Sequence, residues 1–499
     1  MLSDDVLLEI FDSYRQISQE TLDSPWKWNT LIHVCRRWRN VVFGSPRRLD
    51  LLLLCTYGTP VRRSLDCWPS LPIVIKYWTT LEFRPPSLED EDNVIAALKH
   101  HSRIRQIQLA VTSSLLGKVA ASMEEPFPEL TSLSLWFDKD YSSRSAPTLP
   151  LPDAFLYGHA PRLRDFSLIG IPFPDLPELL RSARGLASLR LLEVPETGYI
   201  APDVMAKYLA TLTDLRVLCV EFRSPKSCPV HERGIPPLAL KQRAILPTLT
   251  CFNFRGASAY LEDLLARIEA PFLSHVNITF FNQLIFQVPH LSQFIGRMEM
   301  LKSAKVAEME SSFGSGVSLK LDRPSASATP GTPSTGTTVG EHHPLSLCVS
   351  CGVLDWQLSS MAQICSQSPL LSNVQHLDIR ADYLQLGYQW QEDIDSIAWL
   401  ELFSSFTSVE TLSISGELCP QVAPALEVVA TRMMVAALEA PFLPGLRVLH
   451  FECCRKSALV EKFAAARKEF DCDVEVQHVP FPPWGLWDGV PAPDPTNRG

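Results

Sequence analysis

The sequence of 499 residues lacks any apolar run long enough to cross a membrane. The apolar run Leu51–Cys55 is far shorter than the ~18 residues that a spanning helix requires. The first residues, Met1 to Asp5, include acids where a secretory leader would carry a basic region. We therefore expect a protein with no membrane partner, in the cytoplasm and/or the nucleus.

Enzyme signatures are also missing. The chain has no Gly-rich phosphate loop, no Gly-x-Ser-x-Gly elbow and no His-Glu-x-x-His helix. Cys348 and Cys351 have metal-ligand spacing but no second such pair, so we interpret them, like Cys453–Cys454, as core thiols. Cys228 and His231 could form half of a metal site but have no further partners in the sequence. We expect no catalytic residues, no metal and no cofactor.

Positive charge is scarce, with 45 Lys and Arg against 55 Asp and Glu, a net charge of −10. Nucleic-acid binding normally requires a basic domain or stripe, so we expect no nucleic-acid partner. Thirteen Cys, an odd number in a long chain, favour reduced thiols over a disulfide framework.

One pattern recurs along most of the chain: an apolar residue, two of any kind, an apolar residue, one of any kind, and a third apolar residue. The copies are Ile104/Ile107/Leu109, Leu130/Leu133/Leu135, Leu163/Phe166/Leu168, Leu189/Leu192/Val194, Leu215/Leu218/Val220, Leu249/Phe252/Phe254, Leu273/Val276/Ile278, Val374/Leu377/Ile379, Val409/Leu412/Ile414 and Leu446/Leu449/Phe451, with a possible degenerate copy at Leu301/Ala304/Val306. Helical patterns fill the intervals, which predicts parallel strands with helices on the other side. Ten copies exceed what one open sheet usually holds, so we favour a curved solenoid over an ordinary doubly wound sheet.

Two short segments differ in composition from these repeats. Residues 322–344 have almost no large apolar side chains, which predicts a disordered insertion. Residues 480–499 form a tail rich in Pro that contains Trp484 and Trp487. This tail could fold back over the last repeat.

The N-terminal segment shows two amphipathic helical patterns. Ser3 can cap the first helix, and the negative charges of Asp4 and Asp5 in its first turn interact favourably with the helix dipole. The apolar residues at helical spacing are Val6, Leu7, Ile10, Phe11 and Tyr14 in the first pattern and Leu31, Val34, Cys35, Trp38, Val41 and Val42 in the second. Two or three short helices bury too little surface to form a self-contained domain. Part of their apolar surface should therefore contact another protein.

The two N-terminal motifs, Leu2-Ser-Asp-Asp-Val-Leu-Leu-Glu-Ile-Phe11 and Leu31-Ile-His-Val-Cys-Arg-Arg-Trp-Arg-Asn-Val41, resemble an F-box. With Ser45-Pro-Arg-Arg-Leu-Asp-Leu51 and Leu71-Pro-Ile-Val-Ile75, the chain is similar to F-box proteins of mushroom-forming fungi, which carry degenerate leucine-rich repeats. Ser3 stands where the family usually has proline.

This resemblance implies an α/β chain in which a short all-helical F-box is followed by an irregular leucine-rich-repeat-like solenoid with parallel strands. The implied domains are an F-box at 1–50, a connector at 51–80, the solenoid at 81–479 and the tail at 480–499. It further implies a non-enzymatic substrate receptor that docks a Skp-type adaptor of an SCF-type cullin–RING ubiquitin ligase. The implied adaptor contacts are Leu2, Val6, Leu7, Ile10, Phe11, Leu31, Val34, Cys35 and Trp38. The alternative is a repeat scaffold for protein interactions that acts outside any ubiquitin ligase.

A long connection, Arg223 to Ala244, separates two of the predicted strands. It carries five basic residues against one acidic residue, Glu232, a local charge of +4. Long connections in compact arrays are often functional. We therefore treat Arg223, Lys226 and Arg233 as a candidate surface for an acidic target, against the simpler interpretation of a solvated loop.

Overall fold

The computed structural model describes residues 2–20, 31, 33–44, 51–55, 61–67, 71–77, 87–137, 149–228, 243–312, 315–322, 343–381, 396–435, 442–452 and 457–478. The chain divides into two compact units, Met1–Val276 and Asn277–Gly499. Each unit combines strands and helices, so the predicted α/β class is confirmed.

The first unit begins with helices and continues with parallel strands. Its helices are α1 (Asp4–Glu20), α2 (Arg36–Gly44), α3 (Val61–Cys67), α4 (Leu88–Leu98), α5 (Ser113–Ser122), α6 (Leu176–Ser182), α7 (Pro202–Leu209) and α8 (Ser258–Leu265). Its strands are β1 (Leu51–Leu54), β2 (Ile73–Tyr77), β3 (Ile104–Val111), β4 (Ser132–Phe137), β5 (Asp165–Ile169), β6 (Ser188–Val194), β7 (Val217–Phe222), β8 (Ala244–Ile245), β9 (Cys251–Gly256) and β10 (Ile268–Glu269). Strands β1 to β7 and β9 pair in parallel in chain order, while β8 and β10 form a separate parallel pair. The strand β11 (His275–Phe281) crosses the boundary between the units along the chain.

The second unit interrupts its parallel strands once. Its strands are β12 (Val306–Ser312), β13 (Gly316–Asp322), β14 (Leu345–Ser350), β15 (His376–Ala381), β16 (Thr411–Ile414), β17 (Val448–Phe451) and β18 (Glu475–His478). Its helices are α9 (Pro289–Gly296), α10 (Glu299–Lys302), α11 (Leu354–Cys365), α12 (Ser396–Phe403), α13 (Cys419–Val435) and α14 (Ala458–Lys468). Strand β12 pairs in parallel with β15, and β15 to β18 follow in parallel order. On its other side β12 pairs antiparallel with β13, which pairs antiparallel with β14.

A repeated backbone arrangement joins the starts of neighbouring parallel strands. The amides of Ala187 and Ser188 both donate to the carbonyl oxygen of Arg164, at 2.7 and 2.9 Å. The amides of Arg216 and Val217 donate in the same way to Ala187, at 2.8 and 3.0 Å. In the second unit, carbonyl groups that accept two such bonds belong to Lys305, Gln375 and Glu410. These bonds fix each strand in register with its neighbour before the ladder begins.

The predicted apolar repeats form the interior of both units, because every anchor except Leu192 and Val306 is buried. Both exceptions come from copies that the sequence pattern places three residues away from their true position, the first too late and the second too early. Residue pairing aligns Leu189 with Phe166, so the true copy there is Leu186/Leu189/Leu191. Likewise Ala307 pairs with Leu377 and Met309 with Ile379, which makes the degenerate copy Ala304/Ala307/Met309.

The parallel strands start earlier than the predicted boundary at residue 81. The predicted connector contains β1 and β2, whose paired residues run from Leu51 with Ile73 to Leu54 with Lys76. Both strands extend the same parallel set as β3.

Several sequence predictions concern residues outside those that the structure describes. For the insertion at 322–344 this applies to residues 323–342. At its ends, Asp322 completes β13, and Nδ1 of His343 lies 3.2 Å from Oδ2 of Asp322. His343 is half-buried beside this carboxylate. The tail at 480–499 also lies outside the described residues.

Candidate functional site

The first helix begins as its sequence predicts. Val6 N donates to Oγ of Ser3 over 3.4 Å, and Leu7 N donates to the Ser3 carbonyl over 3.1 Å. A serine side chain at this position satisfies an amide that has no partner within the helix. Asp4 and Asp5 follow in the first turn, where the helix dipole favours negative charge.

The second helix begins at an unusual cap. Leu31, His33 and Val34 are helical, Cys35 interrupts the helix, and α2 then starts at Arg36. The amide of Trp38 lies 3.4 Å from the Cys35 sulfur, and the Arg39 amide donates to the Cys35 carbonyl over 3.1 Å. Cys35 therefore occupies the capping position of α2, and its exposed sulfur faces the first amides of that helix.

An arginine joins the starts of the two helices. The Nε and Nη2 atoms of Arg37 donate to Oδ1 of Asp4 over 3.2 and 2.7 Å. Nη2 also donates to the carbonyl oxygen of Leu2 over 2.5 Å. These bonds hold the residues before α1 against α2. Arg37 and Asp4 are 33 positions apart in the sequence, so their contact leaves no local signal there.

Apolar side chains fill the interior of this helical pair. Leu7, Phe11 and Leu31 are 2%, 5% and 8% exposed, and Val41 and Val42 are also buried. The Phe11 and Trp38 rings meet edge to face with centroids 4.9 Å apart. Three of the nine predicted adaptor contacts, Leu7, Phe11 and Leu31, are thus occupied within the chain itself.

Four others of the nine remain accessible. Leu2, Val6, Ile10 and Val34 are 53%, 43%, 43% and 58% exposed, although all four are large aliphatic residues. Val6 and Ile10 of α1 are four residues apart, the spacing that places side chains in one stripe along a helix, and Leu2 lies just before the helix. Cys35 is exposed and Trp38 is half-buried. We call Leu2, Val6, Ile10 and Val34 the exposed apolar set.

The candidate target-binding residues do not form one free surface. The Nη2 atom of Arg223 donates to the Gly170 carbonyl over 3.3 Å, and its Nε lies 3.9 Å from Glu193 Oε2. Arg223 therefore makes contacts within the first unit, because its guanidinium bridges two earlier strands. Lys226 is exposed, and Arg233 lies outside the described residues.

The thiols considered as metal ligands do not converge. Cys351 is buried and Cys348, three residues earlier, is half-buried. Cys348 lies within β14 and Cys351 directly follows that strand, so of these two the core-thiol prediction holds only for the buried Cys351. Cys228 is buried, while His231 and Cys453–Cys454 lie outside the described residues. Among the described residues, no group of three His, Cys, Asp or Glu is arranged to hold a metal ion.

Within the part of the chain that the structure describes, no helix combines the length and the apolar composition needed to cross a membrane.

Comparisons with known proteins add no assignment to this geometry. No protein-family model matches the chain, and no curated protein is significantly similar to it.

Proposed function

We propose that this chain is a non-enzymatic substrate receptor of an SCF-type ubiquitin ligase, with residues 1–50 as an F-box that docks a Skp-type adaptor. The observation that carries the proposal is the exposed apolar set on a helical pair whose interior is already filled. The rest of the chain, as an irregular leucine-rich-repeat-like solenoid, would bind the target protein.

The energetic argument concerns the water-exposed aliphatic surface. Burying a Val, Leu or Ile side chain stabilises an association by about 1.5–3 kcal/mol relative to leaving it in water. Val6 and Ile10, four residues apart in α1, match the way one helix face enters an apolar groove of a partner, and Leu2 directly precedes the cap of that helix. The buried residues Leu7, Phe11 and Leu31, by contrast, support docking by keeping α1 and α2 together.

A purified Skp-type adaptor and the full chain provide the test. Val6→Asp should weaken adaptor binding by at least a hundredfold in calorimetry, because it places a carboxylate in an apolar interface. Val353→Asp is the matched control, since Val353 is also 43% exposed but lies in the second unit. This control should bind the adaptor like the unchanged chain.

Two results would contradict the proposal: no binding of the adaptor to the unchanged chain, or equal binding by Val6→Asp and Val353→Asp. The first result would instead favour a repeat scaffold that acts outside any ubiquitin ligase.

A further inference from the structure

Three arginines lie on consecutive strands of the first unit. Arg164 directly precedes β5, Arg190 lies within β6, and Arg216 directly precedes β7. Ser188 pairs with Asp165 on one side and Val217 on the other, so Arg164 and Arg216 occupy the same level with Ala187 between them. Adjacent strands are about 4.8 Å apart, which places the Arg164 and Arg216 backbones about 10 Å apart.

All three arginines are exposed, and none of them forms an ion pair or a side-chain hydrogen bond within residues 149–228 and 243–276. The guanidinium of Arg190 favours the thiolates of Cys219 and Cys251, opposing the burial that raises the pKa of both thiols.

The neighbouring strands present small side chains at the level of Arg190. Residue pairing puts Ser167 beside Arg190 on one flank and Cys219 on the other. Asn253 follows on β9, and its Nδ2 donates to the Cys219 sulfur over 3.3 Å. No bulky side chain at these positions keeps a second polypeptide away from Arg190.

Most carboxylates on these strands already have a cationic neighbour. Glu193 lies beside Arg223 at 3.9 Å. Burial raises the pKa of Glu221, and Arg255 acts against that rise. Strands β5, β6, β7 and β9, with the residues that directly flank them, carry five arginines against Asp165, Glu193 and Glu221, a balance of +2. That balance is unusual in a chain with a net charge of −10.

We propose that Arg164, Arg190 and Arg216, here called the arginine triangle, bind an acidic polypeptide segment of a target protein. The proposal rests on the proposed function as a substrate receptor and names the chemistry of its target. Charge complementarity selects the occupant, since carboxylates supply the partners that the three guanidinium groups lack.

The spacing further defines this segment. One turn of a polyproline II helix, three residues long, spans about 9 Å, close to the separation of Arg164 and Arg216. Every third side chain of that helix lies on one face, so a segment with an acidic residue at every third position presents one carboxylate to each of these two arginines. Arg190, about three residues further along its strand, adds positive charge beside this segment.

The probe is a fluorescein-labelled dodecapeptide with Glu at every third position and Ser elsewhere, titrated with the full chain in fluorescence anisotropy. We expect binding that weakens at least fivefold between 50 and 200 mM salt, because salt screens exposed charges. Arg190→Glu should weaken binding at least tenfold, and Arg190→Gln should weaken it less. Arg184→Glu, an exposed arginine outside the strands, should remain within twofold of the unchanged chain.

Two outcomes would overturn the proposal. One is equal binding of a peptide with Lys in place of Glu, and the other is equal binding by Arg190→Glu and Arg184→Glu. Preferential binding of a twelve-residue oligothymidylate over the Glu peptide would also overturn it, as it would assign the triangle to nucleic acid. Circular dichroism of each variant shows whether the fold is intact.

The adaptor measurement separates this proposal from the proposed function. Arg190→Glu should leave adaptor affinity unchanged, and Val6→Asp should leave Glu-peptide affinity unchanged. Peptide binding without adaptor binding would reject the ligase role and keep the arginine triangle as an acidic-peptide site.

Discussion

The ring of Trp38 in α2 meets the ring of Phe11 in α1 edge to face, with centroids 4.9 Å apart and planes inclined by 60°. Phe11 is buried and Trp38 half-buried, so this contact closes the interior of the helical pair on one side. Replacing Trp38 with Ala should loosen the pair by about 0.5–1.5 kcal/mol, plus the apolar area that is lost. Faster amide hydrogen exchange in α1 measures this, and Arg36→Ala, an exposed change in the same helix, should not reproduce it.

Leu7 and Ile10 separate stability from docking. Leu7 is buried, so Leu7→Ala should destabilise the helical pair by about 2–5 kcal/mol. Ile10 is 43% exposed, so Ile10→Ala should change stability by no more than about 0.5 kcal/mol. Ile10→Ala should nevertheless weaken the affinity for the adaptor, because it removes exposed apolar surface while the helices stay folded.

Charging Leu7, which the sequence alone suggests as a docking test, would place a carboxylate inside the chain. Loss of binding after that change would not distinguish docking from unfolding of the pair. If Leu7→Ala and Ile10→Ala accelerated amide hydrogen exchange in α1 equally, the assignment of Leu7 to stability and Ile10 to docking would be contradicted.

Gly170 has φ +70°, and a Cβ added there would lie 2.9 Å from Nη2 of Arg223. Gly170→Ala should cost about 1–2 kcal/mol for the left-handed backbone, and it should displace Arg223 from the Gly170 carbonyl. The thermal unfolding midpoint of the variant should fall. Gly185→Ala, where an added Cβ meets no atom within 4 Å, serves as the control.

Arg467 of α14 is fully buried, and no carboxylate of the described residues forms an ion pair with it. Its guanidinium donates to the carbonyl oxygens of Phe442, Leu443, Leu446 and Cys472 at 2.5, 3.1, 3.2 and 3.2 Å. Arg467→Met should destabilise the second unit by about 2–4 kcal/mol, since each buried carbonyl left unpaired is costly.

Arg467→Lys should fail to restore this stability, because one ammonium cannot reach carbonyl groups arranged around a planar fork. Lys468→Met, an exposed change at the next residue, is the control in chemical denaturation. Full rescue by lysine would show that charge alone, rather than the fork geometry, matters at this position.

Glu452 provides a pH prediction for the second unit. Burial raises the pKa of its carboxyl group, and Asp378 and Glu417 add to the rise, while Arg380 and the Gly416 amide oppose it. A carboxyl whose folded pKa exceeds its unfolded pKa destabilises the ionised folded state, and this penalty disappears as the pH falls below the unfolded value near 4.3. Glu452→Gln should therefore raise the unfolding midpoint at pH 7 and have little effect at pH 4. A lower midpoint for Glu452→Gln at pH 7 would contradict this assignment.

The periodic apolar pattern was sufficient to predict the α/β class, the parallel strands and nearly every buried anchor. It could do so because burial on one face of a strand demands an apolar residue at every second position. The Ser3 cap was equally local, since the donor and acceptor lie three residues apart.

Where one stretch of sequence fits two strand registers, only the tertiary structure decided between them. The run Leu186-Ala-Ser-Leu-Arg-Leu-Leu-Glu-Val194 satisfies the apolar pattern from Leu186 and again from Leu189. The structure selects the first, with an irregular register after Leu191 and a φ of 49° at Glu193. Backbone pairing to β5 and β7 fixes that choice, and no property of the run by itself contains it.

The candidate sites divide in the same way. The sequence determined that the N-terminal helices carry more apolar surface than they can bury, because that follows from composition and spacing. Only the tertiary structure decided that Leu7, Phe11 and Leu31 face inward while Leu2, Val6 and Ile10 stay in water. It likewise joined Arg37 to Asp4 and brought Arg164, Arg190 and Arg216 onto neighbouring strands. Such contacts depend on the path of the chain between distant residues, which local patterns do not encode.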